Sequence, residues 1–215
     1  MTRTLLVATT NPGKLREIRA LLAGTGVELR TLADLPAMPA PEETGTTFGE
    51  NARLKARYYS TRSGELTVAE DSGLVIDALG GEPGVHSARY LGDTASYQDR
   101  FNDIFRRLHA EPPARRTARF VCALAVADGD TILFETTGTV EGLITERPVG
   151  TAGFGYDPIF FFPPYGRTLA EVTGDDKLAV AHRGQAFRAF ARWLDGTRNG
   201  EQTSCSPFPD GPRTR

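Results

Sequence analysis

Two different spacings of apolar residues run along this chain, and they predict strands and helices in alternation. The apolar run over 3–9 predicts a buried strand, whereas the apolar positions over 12–23 follow the helical period of about 3.6 residues. A second strand is predicted over Val27–Leu32, and a helix is predicted from Thr47 to about Ser63. Because strands and helices alternate, the pattern predicts an α/β fold, a mixed β-sheet with flanking helices.

Local residues mark where the two helices begin. Asn11 is a favourable N-cap, and Pro12 suits the first helical position because its missing N–H is not needed there. Thr47 and Glu50 have the spacing of a capping box, in which side chains and backbone amides satisfy each other's hydrogen bonds. These signals predict helix starts close to residues 12 and 47.

The middle of the chain contains strand-like runs separated by turn residues. Thr67–Ala69 and Leu74–Leu79 are predicted as two short strands, with Glu70-Asp71-Ser72-Gly73 between them. Arg119–Ala127 and Thr131–Thr139 are predicted to pair as a hairpin that turns at the intervening Asp-Gly-Asp. The second strand of this hairpin is expected to continue toward Ile144.

Two more helices are predicted, over 96–109 and over about Lys177–Leu194. Between them, 150–164 is rich in glycine and aromatic residues. From Thr197 onward the chain is polar and lacks periodicity, which predicts a disordered tail over 197–215. Residues 1–196 are therefore predicted to form a single domain.

Composition and charge narrow the class of protein. Of the 215 residues, 40% are apolar and 24% are charged, which is ordinary for a soluble globular protein. The formal net charge of −2 argues against a protein that mainly binds nucleic acid. No apolar run approaches the roughly 18 residues of a membrane span, and the start at Met1 leads straight into a strand without a secretory leader. Cys122 and Cys205 are interpreted as free thiols in a reducing cytoplasm.

The first candidate for chemistry is the stretch "ATTNPGKLREI" at 8–18, where a strand leads into a helix. A helix N-terminus offers unpaired N–H groups and partial positive charge, Gly13 permits close approach, and Lys14 adds an ammonium. These features suggest a phosphate cradle. The alternative is a well-capped helix with a solvated lysine. A Walker A loop is excluded because its spacing is absent.

The second candidate is the acidic stretch Glu70-Asp71-Ser72-Gly73. Adjacent carboxylates can hold a hard divalent cation or activate water, and Mg²⁺ needs only one or two of them besides substrate phosphates. Acids at 42–43 could complete such a site. The alternative is a simple turn, for which Asp-Ser-Gly is typical.

Two further stretches carry rings and cations. Phe154 and Tyr156 stand between glycines, where their rings could hold a flat ligand or return to the core. Lys177, His182 and Arg183 lie near the start of the last helix and off its apolar stripe, as donors to a ligand or as a solvated basic face. Together the four candidates are the parts of a nucleoside triphosphate enzyme.

The sequence resembles the inosine/xanthosine triphosphate pyrophosphatases, also called the Ham1-like family. The resemblance extends from about Thr4 to Leu194 and rests on five blocks in the family's order, "ATTNPGKLREI", "EETGTTFGENARLKA", "AEDSGLVIDALGGEPGVHSARY", "GTAGFGYDPIFF" and "AVAHRGQA". It implies an elongated mixed α/β fold, an elongated mixed β-sheet with flanking helices, in two lobes with a substrate cleft between them. It also implies Mg²⁺-dependent hydrolysis of ITP, dITP and XTP to monophosphate and pyrophosphate by a homodimer, which cleanses the nucleotide pool.

The resemblance also implies roles for individual residues. Glu43 and Asp71 would hold the metal, and Asp71 would also be the base. The triphosphate would be held by Thr9, Thr10, Asn11, Pro12, Gly13 and Lys14. The rest of the substrate would be contacted by Ser72, Phe154, Gly155, Tyr156, Asp157, Lys177, His182 and Arg183. Two positions depart from many bacterial members, because Glu70 replaces Asp and Ala181 replaces Ser.

These roles give a hypothesis for mechanism and selectivity. Water oriented by Asp71 or by the metal would attack the α-phosphorus, and Lys14 with the helix amides would stabilise the leaving pyrophosphate. His182 and Arg183 would donate hydrogen bonds to the carbonyl oxygen at the purine six-position of ITP, and their donors would disfavour the amine of ATP.

Two other functions are compatible with these residues. One is a Maf-like pyrophosphatase that acts on other nucleotides, and the other is a nucleotide sensor without catalysis. The presence of Lys14, Asp71 and Lys177 argues against the sensor. A nucleic-acid-binding module ranks last because of the net charge.

Overall fold

The computed structural model of the chain describes residues 3–198. Thr197 and Arg198 belong to the last helix. The remainder of the predicted disordered tail, together with Cys205, lies outside the described residues. Across the described part of the chain, every helix is too short or too polar to cross a membrane.

The structure contains the mixed α/β arrangement that the pattern predicts. The helices are α1 (Pro12–Leu21), α2 (Phe48–Ser63), α3 (Tyr97–Arg107), α4 (Gly174–Val180) and α5 (His182–Arg198). The strands are β1 (Arg3–Val7), β2 (Val27–Thr31), β3 (Thr67–Ile76), β4 (Thr117–Asp128), β5 (Thr131–Ile144), β6 (Phe160–Phe162) and β7 (Arg167–Thr168). They form one seven-stranded sheet in the order β2-β1-β3-β4-β5-β6-β7. Strand β1 pairs in parallel with β2 and β3, whereas β6 pairs antiparallel with β5 and β7.

The predicted helix starts are confirmed. The side chain of Asn11 accepts hydrogen bonds from the first amides of α1, and Pro12 is its first residue. Thr47 and Glu50 form the predicted capping box at the start of α2, and Gly64 ends that helix in the left-handed conformation, which glycine adopts without steric cost.

The chain divides into two compact units. The first comprises the described parts of Met1–Asp71, Cys122–Gly138 and Arg183–Arg215, and the second comprises Ser72–Val121 and Thr139–His182. The prediction that residues 1–196 form a single domain of two lobes stays a prediction.

Unit 1 has a layer of helices on each face of its part of the sheet. Successive side chains of a strand point to opposite faces, so even and odd positions of β4 enter different cores. Cys122, Leu124 and Val126 pack with α1 and α5, whereas Ala123, Ala125 and Ala127 pack with α2. The small alanine side chains on the second face meet Ala52 and Ala56 of α2, so this helix can lie close to the sheet.

Unit 2 has its own core. The helical period places four apolar residues of this segment inward. Phe101 and Ile104 of α3 and Leu108, which follows the helix, are buried in this core, and Phe105 is partly buried against them. These side chains pack with others from β3, β4 and β5 and with Tyr156.

The prediction of two short strands separated at Glu70–Gly73 is wrong. Strand β3 runs without interruption through Thr67–Ile76, and nearly all its residues are buried. Pairing with β1 reaches only Thr67 and Val68, so the other neighbour in the sheet, β4, and the burial of the strand outweigh the turn preference of Asp-Ser-Gly. As neighbours on a continuous strand, Glu70 and Asp71 point to opposite faces.

The prediction of one helix over Lys177–Leu194 is also wrong. Helix α4 ends at Val180, Ala181 has extended backbone angles of −67° and 155°, and α5 begins at His182. Thr173 caps α4 by accepting from the amide of Asp176. Alanine is a strong helix former, so no local signal marks this break. The short strands β6 and β7 were not predicted either, because their runs are too brief to show a period.

Candidate functional site

The carboxylate of Asp71 lies on the sheet face that α2 covers. Its Oδ1 lies 2.9 Å from the ammonium nitrogen of Lys55, and Glu43 Oε1 lies 2.8 Å from the same nitrogen. Its Oδ2 accepts a hydrogen bond of 3.2 Å from the amide of Asn51. The structure therefore brings together Glu43 and Asp71, the two predicted metal ligands, around a single cation.

This arrangement fits a hard divalent cation. Carboxylate oxygens from a loop and a strand already converge on one positive charge, the ammonium of Lys55. Mg²⁺ prefers oxygen ligands and needs only one or two carboxylates, because water and substrate phosphates complete its shell. Within residues 3–198, no group of three or more His, Cys, Asp or Glu side chains could hold a metal ion. These described residues therefore do not form a zinc site of the kind that is built from three or four protein ligands.

Burial and charge oppose each other at these groups. Burial raises the pKa of Asp71 above its ordinary value, although the Lys55 ammonium counteracts part of that shift. Burial alone would lower the pKa of Lys55, but the carboxylates of Asp71 and Glu43 outweigh it and raise that pKa. Asp71 is thus a carboxylate with raised proton affinity beside a firmly charged ammonium, as suits a base.

On the opposite face of β3, Glu70 belongs to a buried group of four alternating charges. Glu70 Oε1 lies 3.1 Å from the Lys14 ammonium and accepts from the Arg183 guanidinium at 3.1 Å. Arg183 also donates to Glu17 at 2.5 Å. We name Lys14, Glu17, Glu70 and Arg183 the ion quartet; its two acids balance its two bases. Glu70 therefore does not join Asp71 as a metal ligand, and its longer side chain serves the quartet.

Opposite charges keep Glu70 and Arg183 of the quartet ionised despite burial. Burial would raise the pKa of Glu70, but Arg183 and Lys14 hold it well below its ordinary value. Burial would lower the pKa of Arg183, but Glu70 and Glu17 raise it. Burial, with Glu70 nearby, raises the pKa of the Cys122 thiol far above its ordinary value, so this cysteine stays protonated.

The N-terminus of α1 differs from the predicted cradle in one respect. The amides of Gly13 and Lys14 donate to the side chain of Asn11, at 2.9 Å and 3.1 Å, and the amide of Asn11 donates to the hydroxyl of Thr9. These amides satisfy the helix cap, so a phosphate could use them only by displacing Asn11. Side chains such as Lys14 and Thr10 are the donors that remain for an anion here.

In unit 2, Asp157 and Lys177 form a buried ion pair beside a ring. The Lys177 ammonium donates to Asp157 Oδ2 at 2.6 Å and lies 4.9 Å from the centre of the Phe154 ring. The same oxygen accepts from the amide of Phe154 at 2.9 Å. Asp157 thereby fixes both the cation and the backbone that carries the ring. Asp157 thus brings Lys177 of α4 next to Phe154 of the glycine-rich segment, so three of the predicted ligand-binding residues lie together.

Two other predicted residues lie in the interior. Tyr156 is 4% exposed, packs into the core of unit 2 and donates from its hydroxyl to the carbonyl of Ser87. Its ring thus returns to the core, which is the alternative considered for this segment. His182 is also buried, and its ring stacks on Phe120 with centroids 4.9 Å apart. Ser72 follows Asp71 on β3 and is half-buried.

Replacing Gly153 with alanine is expected to disturb the Asp157–Lys177 pair. Gly153 has a φ of 75°, and an added methyl group would overlap the Asp157 carboxylate. Backbone strain costs roughly 1–2 kcal/mol at such a position, before any displacement of the carboxylate. We expect a lower melting temperature and a higher KM for ITP, measured by thermal denaturation and steady-state kinetics. Gly129→Ala is the control, since Gly129 also has a positive φ but has open space for a methyl group. Equal effects of the two changes on KM would contradict this prediction.

Three residues of the site were missed by sequence reasoning. Lys55 and Asn51 lie on α2, and their spacing of four residues places them on one face of that helix. Glu17 lies one turn after Lys14 on α1. The helical period could have indicated these positions, but nothing in the sequence alone identifies their partners.

Comparison with known proteins gives a consistent result. A sequence model described as the Ham1 family matches residues 5–193. A dITP/XTP pyrophosphatase of Halalkalibacterium halodurans is 46% identical over 192 residues, covering 88% of this chain and 98% of the relative. One of Shigella flexneri is 45% identical over 199 residues, covering 91% and 98%. The solved structure of a HAM1 protein from Coxiella burnetii has a TM-score of 0.83 and 37% identity, covering 90% of this chain and 99% of that one.

Proposed function

Because this chain belongs to the Ham1 family, we propose that it hydrolyses the non-standard purine nucleoside triphosphates ITP, dITP and XTP to the monophosphate and pyrophosphate. Such an enzyme cleanses the nucleotide pool. The observation that carries the proposal is the placement of Glu70 and Asp71 on opposite faces of β3. One acid is thereby available for metal and water, while the other holds the cation Lys14.

Glu43 and Asp71 would hold Mg²⁺, since their oxygens already converge on the Lys55 ammonium. When bound, the ion supplies charge neutralisation for the phosphate oxygens. Lys55 would have to withdraw from the carboxylates to admit it. Until the ion binds, the Lys55 ammonium stays beside Glu43 and Asp71, so the negative charges of these two carboxylates are compensated.

The chain's own residues would carry the remaining steps. Asp71 would orient a water molecule for in-line attack on the α-phosphorus and take up its proton, as its raised proton affinity favours. Lys14 would move from Glu70 toward the leaving pyrophosphate and donate charge-assisted hydrogen bonds to it. Glu70 would retain Arg183 as a partner throughout, so the departure of Lys14 leaves no bare buried carboxylate.

The purine would be held by residues of unit 2. Phe154 offers a ring face for stacking, with Gly155 next to it, and the Lys177–Asp157 pair offers a donor and an acceptor. Tyr156 would support this segment from the core, and His182 would contribute from its place on Phe120. The proposed donation from Arg183 to the purine six-carbonyl competes with its bonds to two carboxylates.

A panel of ITP, XTP, dUTP, TTP and GTP tests this function. With Mg²⁺ present, we expect release of pyrophosphate from ITP and XTP well above that from the other three, and little release when the ion is chelated. Assays that separate pyrophosphate from orthophosphate exclude a phosphatase. A preference for dUTP or TTP would indicate a Maf-like enzyme, and binding of ITP without release of pyrophosphate would indicate a sensor.

Assembly and location follow from the same resemblance. We infer a homodimer in the cytoplasm that acts on a small-molecule nucleotide and binds neither nucleic acid nor membrane. Light scattering coupled to size-exclusion chromatography would give the mass in solution. A mass near 23.3 kDa, that of one chain, would contradict the dimer.

A further inference from the structure

Asn51 is a wholly buried polar side chain at the start of α2, with 0% of its surface exposed. Its Oδ1 accepts a hydrogen bond of 2.8 Å from the backbone amide of Gly45, and its Nδ2 donates to Asp71 Oδ2 at 3.2 Å. Asparagine is a weak helix former, and burying an amide is costly unless its atoms are bonded. The two bonds account for its presence in the interior.

The orientation of this amide is fixed by its partners. A backbone N–H can only donate, so the oxygen of Asn51 must face Gly45 and the nitrogen must face Asp71. The nitrogen of Asn51 in turn requires an acceptor, and Oδ2 of Asp71 is that acceptor. The other oxygen of the same carboxylate, Oδ1, then faces the Lys55 ammonium. Asn51 thereby fixes the rotation of the Asp71 carboxylate, with one oxygen held by the amide and the other facing the cation position.

The same side chain also anchors the loop that carries Glu43. Gly45 lies two residues after Glu43, and its bond to Asn51 ties this loop to the start of α2. The approach is very close, since a methyl group on Gly45 would lie 2.6 Å from Asn51 Oδ1. A residue with a side chain at position 45 would push the amide or the loop away.

We propose that Asn51 is a positioning residue for the divalent cation, because one amide bonds both to Asp71 and to the loop of Glu43. This inference rests on the metal site of the proposed function. Residues that orient metal ligands typically change metal affinity or activity by 10- to 100-fold when removed. Asn51 would act through Asp71 and Gly45 without touching the metal or the substrate itself.

The test measures Mn²⁺ affinity of the full chain without nucleotide, by calorimetry or electron paramagnetic resonance. Asn51→Leu keeps the volume and removes both hydrogen bonds, and we expect affinity to fall by about tenfold. Gly45→Ala perturbs the same bond from the loop and is expected to weaken affinity in the same direction, even if Asn51→Leu fails to fold. The matched control is Ser60→Ala, another fully buried polar residue of α2, whose hydroxyl bonds to the carbonyls of Glu65 and Ala127.

The outcomes separate the positioning role from a structural one. All three variants are expected to have a lower melting temperature. The inference is supported if Mn²⁺ binding is weaker only in Asn51→Leu and Gly45→Ala. Unchanged Mn²⁺ affinity in Gly45→Ala and in folded Asn51→Leu, or an equal loss in Ser60→Ala, overturns it. Failure of the proposed function would be visible separately, as wild-type protein that releases no pyrophosphate from ITP.

Discussion

Replacing Asp71 with asparagine is expected to lower kcat for ITP hydrolysis by about 10³-fold or more while the protein remains folded. A positioned general base contributes typically 10²–10⁴-fold, and Asp71 is also one of the two proposed metal ligands. Asparagine has nearly the same shape and can still pair with Asn51, so packing on this face of β3 is preserved. Steady-state pyrophosphate release with saturating Mg²⁺ measures the effect.

The fold of this variant should tolerate the change for an electrostatic reason. Burial raises the pKa of Asp71, which means that folding disfavours its ionised form relative to the neutral one. A neutral amide therefore removes a buried charge, and Lys55 keeps Glu43 as an ion-pair partner. We expect a melting temperature close to that of the wild type.

Asp128→Asn is the matched control, because it makes the same chemical change at an exposed position at the end of β4. It should retain wild-type kcat. If Asp71→Asn kept kcat within tenfold of the wild type, Asp71 would be neither base nor metal ligand. If it unfolded, Asp71→Glu would distinguish a structural requirement from a catalytic one through its Mn²⁺ affinity.

The elements that sequence predicted well are those with local signals. Helices α1 and α2 begin where Asn11, Pro12 and the Thr47–Glu50 box place them, since a cap acts over three residues. The hairpin of β4 and β5 follows from the two-residue connection at Gly129 and Asp130. In each case the determining contact lies within a few positions of the chain.

Local sequence signals did not predict the arrangement of the site, because that arrangement depends on the continuity of β3. Asp-Ser-Gly is a typical turn sequence, and it is extended here because β3 is buried and continues beside β4 after its pairing with β1 has ended at Val68. Once β3 is continuous, alternation separates Glu70 from Asp71, and each acquires cations from a different helix. Local sequence therefore predicted the chemistry of these acids but not their separate roles.

The break at Ala181 shows the same limitation. Two cations on either side of it, Lys177 and Arg183, each require a buried carboxylate, which they find in Asp157 and Glu70. Each of these partners is distant along the chain from its cation, so neither ion pair is visible in the helix preferences of the residues around Ala181.

Replacing Lys14 with methionine is expected to lower kcat for ITP by about 10²- to 10³-fold, the usual effect of removing one donor to charge that develops in the transition state. Methionine keeps the unbranched stem and removes only the ammonium. Because the amides of Gly13 and Lys14 donate to Asn11, the helix N-terminus cannot readily replace the lost donor. Glu70 remains paired with Arg183, so the other three members of the quartet should stay paired and the melting temperature should change little.

Arg16→Met is the control for this change, because Arg16 is an exposed cation on the same helix and its loss alters net charge equally. It should leave kcat unchanged. Lys14→Arg keeps the charge with a different shape, so partial recovery would show that charge at this position is what matters. A Lys14→Met enzyme with wild-type kcat and a raised KM would mean that the ammonium binds ground state and transition state equally. The proposal that the Lys14 ammonium moves from Glu70 to the leaving pyrophosphate would then be wrong. That movement requires the ammonium to interact more strongly with the pyrophosphate as its bond to the α-phosphorus breaks.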